Sequence, residues 1–253
     1  MSPQTPVGYD SDARLWGRYG ALNGMFILRE RIHVGWVLLQ VFVCTLVVAR
    51  PLTLGAQGQH DHPPQDTEAY IRLLEDPSRE EWQQPDQVVY TLDLRPEDEV
   101  AEVGAGSGYF TIRLAKALGP SGRVYAVDVD KKMLDHIERR AEREKLENIQ
   151  TILADGNDPR LGSESVDVIF ICDTLHHIQN RKQYYPLLLR ALRQGGRLVI
   201  VDFYKTKMPV GPPLDMRIEK KSCIKEAEAA GFRLSREFLF LKYQYFLIFE
   251  PKD

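Results

Sequence analysis

The chain has 253 residues, enough for one large or two small domains, and its 43% hydrophobic and 27% charged content is that of ordinary globular protein over most of its length. A formal net charge of −3 gives no electrostatic ground for a nucleic-acid partner. The three cysteines, Cys44, Cys172 and Cys223, are too few and too widely spaced for a disulfide framework or a CxxC metal pair.

Residues 1–24 are polar and without periodicity, and read as disordered or as an overextended start ahead of Met25. Residues 25–50 read as an export signal or a membrane anchor. Arg29 and Arg31 precede an apolar run from Val34 to Ala49, which Arg50-Pro51 closes. The run is short for a membrane span and long for a secretory h-region. Val47-x-Ala49 and Leu54-x-Ala56 are poor cleavage sites, so an uncleaved anchor through residues 34–49 is favoured slightly over a cleaved signal. Basic residues before the run put the N-terminus in the cytoplasm and the rest of the chain on the far side. Residues 51–65, rich in Pro, Gly, Gln and His, form a linker. Its His60-Asp61-His62 has no third ligand at a usable spacing, so no metal site is expected.

Residues 66–253 read as one folded domain. Asp66 to Leu74 reads as a short helix, and Glu80 to Leu92 as a second, interrupted at Pro85, with Trp82, Val88, Val89 and Leu92 on one side. Then comes Val100-Ala101-Glu102-Val103-Gly104-Ala105-Gly106-Ser107-Gly108-Tyr109-Phe110. An apolar run enters glycines at every second position, and a helical pattern follows, as in strand–turn–helix units whose loops bind nucleotides. A dinucleotide fingerprint would carry its third glycine or alanine at Tyr109, so this GxGxG loop disfavours a nicotinamide cofactor.

Strands and helices alternate from there. Gly122 to Asp128 is a strand, and Asp130 caps a helix running to Lys145. Ile149 to Ala154 is a strand ending at Asp155-Gly156, and Val166 to Cys172 a strand ending at Asp173. A helix from about Arg181 to Arg193 is stopped by Gly195-Gly196, and Arg197 to Phe203 is the next strand. Lys205 to Glu219 is a Pro-rich connection, followed by a helix from Lys220 to Ala230. Phe232 to Leu241 and Tyr243 to Phe249 form a hairpin around Lys242. The expectation is an α/β, Rossmann-like, seven-stranded, mostly parallel sheet with helices on both faces and an antiparallel C-terminal hairpin strand. Four acids, Glu102, Asp128, Asp155 and Asp173, fall at or close to carboxyl ends of strands, where such sheets bind ligands.

"EVGAGSGYF", "GRVYAVDVD", "ILADGNDP", "VDVIFICDTLHHI" and "LRQGGRLVIVDF" together resemble the class I S-adenosylmethionine-dependent methyltransferases of the broad type 11 small-molecule group. "DPSREEWQQPDQVV", "MPVGPP" and "YQYFLIFE" resemble a bacterial subgroup with an N-terminal export signal. The resemblance implies S-adenosyl-L-methionine as cofactor. Gly104, Ala105, Gly106 and Gly108 would form the loop under its methionine part, and Glu102 would approach the amino group. Asp128, with Val129 beside it, would take the ribose hydroxyls, and Asp155 and Gly156 the adenine. Asp173 and Thr174 would sit near the sulfonium. His176 and His177 are the candidate bases for a hydroxyl or ammonium acceptor, since an ordinary imidazole titrates near pH ~6.5. Tyr204 is a weaker candidate. The implied acceptor is a small or lipid-like molecule, contacted from Lys205 to Arg217. A noncatalytic nucleoside-binding relative and an NAD-dependent oxidoreductase are the alternatives.

Overall fold

The computed structural model describes residues 66–252. The export signal or anchor at 25–50, the polar start at 1–24 and the linker at 51–65 lie outside the described residues.

Seven strands form one sheet in the order β3-β2-β1-β4-β5-β7-β6. They are β1 Glu99–Val103, β2 Arg123–Asp128, β3 Ile149–Leu153, β4 Val166–Cys172, β5 Leu192–Phe203, β6 Phe232–Phe238 and β7 Gln244–Pro251. The first five pair in parallel, and β7 runs antiparallel between β5 and β6. The expected fold class is the observed one. Chain order reverses at β1, which pairs with β2 on one side and β4 on the other. The loops leaving β1 and β4 therefore flank a crevice at the carboxyl edge.

The central strands are apolar on both faces because helices cover both. Ala101, Val103, Ile169, Ile171, Leu198 and Ile200 pack with Tyr184, Tyr185 and Leu188 of α6 (Arg181–Ala191) and Cys223 and Ala227 of α7 (Lys220–Ala229). The alternate residues Val100, Val168, Phe170, Val199 and Val201 pack with α3 (Pro85–Thr91) and α4 (Thr111–Leu118). α5 (Lys131–Glu144) seats Leu134 and Ile137 on Ala126, and Asp130 caps it by accepting from Lys132 N–H at 2.8 Å. Each fully buried aliphatic side chain contributes roughly 1.5–3 kcal/mol. Two short helices precede β1: α1 (Thr67–Leu74) and α2 (Arg79–Gln83), the latter separated from α3 by Gln84 in the left-handed region at φ 46°.

Two boundaries differ from the sequence reading. α6 ends at Ala191 because Leu192 is already extended and pairs with Val166, so Gly195-Gly196 lies inside β5 rather than ending a helix. The hairpin's strands stop at Phe238 and resume at Gln244, which leaves a wider turn than one centred on Lys242 alone.

Candidate functional site

The loop after β1 needs its glycines for two reasons. Gly104, Gly106 and Gly108 have φ of 79°, 54° and 81°, where a side chain is strained. A Cβ on Gly104 would also lie 2.2 Å from the Thr174 side chain, and one on Gly108 2.9 Å from Ile137 Cγ1. The N–H groups of Gly104 and Ala105 donate to Val127 O at 2.8 and 3.0 Å, tying the loop to the end of β2. Glu102 is buried within β1 and accepts from Thr111 Oγ1 at 2.5 Å. Burial pushes its carboxyl up to about 8, with the Thr111 hydrogen bond opposing the shift.

Asp128 ends β2. Its Oδ2 accepts from Gly106 N–H at 2.8 Å and its Oδ1 from Asp130 N–H at 2.9 Å. Burial raises its pKa against these two hydrogen bonds. Each oxygen can accept further bonds, so the carboxylate braces the glycine loop and still faces outward. Val129 beside it is 56% exposed. After β3, Asp155 Oδ1 accepts from Asn157 N–H at 2.8 Å in a tight turn. A Cβ built on Gly156 in that turn would meet nothing within 4 Å. After β4, Asp173 takes a left-handed φ of 53°. Its pKa is pushed up to about 6, chiefly by burial, with Arg79 opposing. Thr174 Oγ1 donates to Cys172 O at 2.9 Å, and Cys172 is a buried free thiol.

These groups converge on one cavity of about 440 Å³, within the range of small-molecule sites. Of the site residues named from the sequence, all line it except Gly108, His176 and Tyr204. Gly108 supports the loop against Ile137. The two histidines part company. His177 faces the cavity, whereas the buried His176 places Nδ1 3.0 Å from Asp202 Oδ1, in the core. They occupy a single 3-10 turn, Leu175–His177, where successive side chains point about 120° apart. Tyr204 packs on Tyr245 at 5.8 Å and is not part of the wall. Nor is any residue from Lys205 to Arg217. That segment is gathered on the Arg217 guanidinium, which donates to the carbonyls of Pro212 and Thr206 at 2.7 Å and of Val210 at 3.0 Å. Among the described residues no group of three His, Cys, Asp or Glu could hold a metal ion.

Sequence reasoning missed Tyr70 and Leu74 of α1, Arg79 of α2, Ser107 and Tyr109, all of which line the cavity. The Arg79 guanidinium lies 4.2 Å from the Tyr109 ring centre and 5.7 Å from that of Trp82. Trp82 itself packs on Phe203 at 5.6 Å. The signal for Arg79 was the stretch "DPSREEWQQPDQVV", which could be matched to relatives but not translated into a role. Arg79 Nε and Ser107 Oγ are buried without hydrogen-bond partners among the described residues.

Residues 100–196 match a family model described as a methyltransferase domain. Over 125 residues the chain is 28% identical to the ubiquinone/menaquinone biosynthesis C-methyltransferase UbiE of Ectopseudomonas mendocina, covering 48% of this chain and 49% of the relative. Over 131 residues it is 32% identical to a protein-L-isoaspartate O-methyltransferase of Methanothrix thermoacetophila, covering 51% of this chain and 60% of the relative. The chain thus spans about half the length of the curated relatives it matches. A solved S-adenosylmethionine-dependent methyltransferase from Aquifex aeolicus superimposes with a TM-score of 0.69 at 28% identity, covering 73% of this chain and 97% of that one.

Proposed function

We propose that this chain, whose residues 100–196 match a methyltransferase domain, is a class I S-adenosylmethionine-dependent methyltransferase that methylates a small-molecule or lipid-like acceptor. S-adenosylmethionine is the cofactor of that class. Convergence of the glycine loop and all four strand-end acids on one cavity carries the reading.

The residues present fit the cofactor. The loop exposes backbone where a Cβ would intrude, and the space beside Gly156 is open. Ser107 Oγ, buried and unpartnered among the described residues, belongs to the cavity wall and is supplied with no acceptor by the fold. The acids differ in character, as the parts of such a molecule require. Glu102 is buried and suits a single ammonium. Asp128 has two oxygens already aligned by backbone N–H groups and suits a cis-diol. Asp155 and Gly156 would meet the base, with Val129 as an apolar surface.

Bound, the cofactor supplies a methyl carbon on a positively charged sulfur. The protein's part is alignment and exclusion of water. Tyr70, Leu74 and Tyr109 form an apolar wall over the glycine loop. His177, at the cavity, is the base proposed for an acceptor that must lose a proton. His176 is assigned to holding that turn through Asp202.

We propose further that residues 25–50 export or anchor the chain, so that the domain works outside the cytoplasm. Calorimetric titration of the protein with S-adenosylmethionine, S-adenosylhomocysteine and NAD tests the cofactor. Binding of S-adenosylhomocysteine but not NAD is expected, and the reverse would overturn the reading. Cofactor binding without methyl transfer to any acceptor would mark a noncatalytic relative.

A further inference from the structure

Two stretches that no role above absorbs, "DPSREEWQQPDQVV" and "YQYFLIFE", meet beneath Asp173. The first supplies Arg79 and Gln83, the second Gln244. They form a closed hydrogen-bond circuit. Arg79 Nη2 donates to Gln83 Oε1 at 3.0 Å, Gln83 Nε2 to Gln244 Oε1 at 2.9 Å, and Gln244 Nε2 to Asp173 Oδ1 at 2.5 Å. Arg79 Nη2 also lies 3.5 Å from Asp173 Oδ2.

The circuit has a direction. Each amide oxygen receives and each amide nitrogen gives, so both glutamines have one allowed orientation and both deliver donors toward the carboxylate. Reversing Gln244 would set its carbonyl against a carboxylate oxygen. Gln83 and Gln244 are both fully buried. Packing alone would be served better by apolar side chains, because a buried amide costs free energy unless fully bonded. Asp173 is moreover held at φ 53°, in the left-handed region that few non-glycine residues occupy. This carboxylate, held by Gln244 and Arg79, belongs to the cavity wall.

We propose that Arg79, Gln83 and Gln244 are positioning residues that aim the Asp173 carboxylate into the cavity, and that Asp173 there receives the N–H or O–H of the methyl acceptor. The acceptor is then an amine or a hydroxyl compound rather than one methylated at carbon with no donor beside it. This rests on the methyltransferase reading.

Sinefungin, a cofactor analogue with an ammonium group where the transferred methyl would be, serves as the probe. The measurement is the ratio of sinefungin to S-adenosylhomocysteine affinity in the full chain, which cancels any general loss of fold or of the cofactor site. Asp173→Asn should lower that ratio at least tenfold. Gln244→Met and Gln83→Met, which keep volume but break the circuit, should each lower it about threefold or more. Should Gln244→Met not fold, Gln83→Met, one bond further from Asp173, reads the same quantity. An unchanged ratio in Asp173→Asn, or in the folded glutamine variants, overturns the proposal while leaving the methyltransferase reading intact. Failure of wild-type protein to bind either ligand overturns that reading first, and this one with it.

Discussion

Glu102 sits where a carboxylate is least welcome, inside a central strand. Its pKa of about 8 means that the folded protein holds this proton far more tightly than the unfolded chain. The contribution to stability is full below the ordinary carboxyl range and is lost as pH rises through about 8, by up to ~1.4 kcal/mol per pH unit along the way. Glu102→Gln should flatten that decline. Melting temperatures of the two proteins between pH 6 and 9 should diverge in favour of the variant, while its affinity for S-adenosylhomocysteine falls by about 1–3 kcal/mol, because Gln cannot give up a proton to meet the ligand's ammonium as a charged partner. Parallel melting profiles would show that the wild-type carboxyl is not suppressed by burial.

The glycines divide by the same physical test. Gly104→Ala places a Cβ 2.2 Å from Thr174 on a backbone at φ 79°, so it should destabilise the fold by several kcal/mol, about the combined scale of strain and overpacking. Gly156→Ala has an ordinary φ and nothing within 4 Å. It should melt within about 0.5 kcal/mol of wild type yet bind S-adenosylhomocysteine more weakly, because the methyl group enters the cavity. Unchanged affinity in Gly156→Ala would remove that residue from the cofactor site.

Among the elements that shape the cavity, α1 is lightly packed. Only Ile71 of its residues is buried, while Tyr70 and Leu74 form cavity wall. Its C-terminal end is fastened instead by polar contacts. Glu75 Oε1 lies 3.0 Å from His136 Nε2 and 2.7 Å from Arg140 Nη1, and Leu74 O accepts from Arg79 Nη1 at 2.5 Å. Arg140 also donates to Ser107 O at 3.1 Å, so one guanidinium joins helix and glycine loop. Removing the Glu75 carboxylate should cost about 1 kcal/mol or less in global stability, as expected of a partly exposed pair. It should have a larger local effect. Glu75→Ala should raise hydrogen exchange of residues 67–74 and speed both association and dissociation of S-adenosylhomocysteine. Unaltered exchange in that segment would mean that α1 is held by packing alone.

The elements differed in how plainly they could be read. Central strands such as Val166–Cys172 announce themselves because burial on both faces demands a nearly continuous apolar run, here Val168 to Cys172, and the acid at its end stands out against it. The end of α6 did not, because Leu192 leaves the helix for pairing with Val166, a choice made by a strand distant in sequence. The Gln83–Gln244 bond joins residues 161 positions apart, and a buried glutamine looks like a surface one until its partner is known. His176 and His177 could be nominated together from the sequence, but only the turn that carries them decides which one sees the cavity.

At the scale of the whole molecule, the seven-stranded sheet and the helices on both its faces are complete within residues 66–252. Among these residues no helix is long and apolar enough to cross a membrane. The membrane attachment proposed above therefore rests on Val34–Ala49, behind Arg29 and Arg31. Leaving such a run in water costs roughly 0.8 kcal/mol per methylene. Full-length protein should accordingly fractionate with membranes and be reached by protease from the extracytoplasmic side, whereas a chain beginning at Asp66 should remain soluble and still bind S-adenosylhomocysteine. A mature protein starting near Arg50 or Gln57 would decide for a cleaved signal over an anchor. Full-length protein recovered from the soluble cytoplasm at intact mass would refute both, and would return the domain to the compartment where its cofactor is expected to be made.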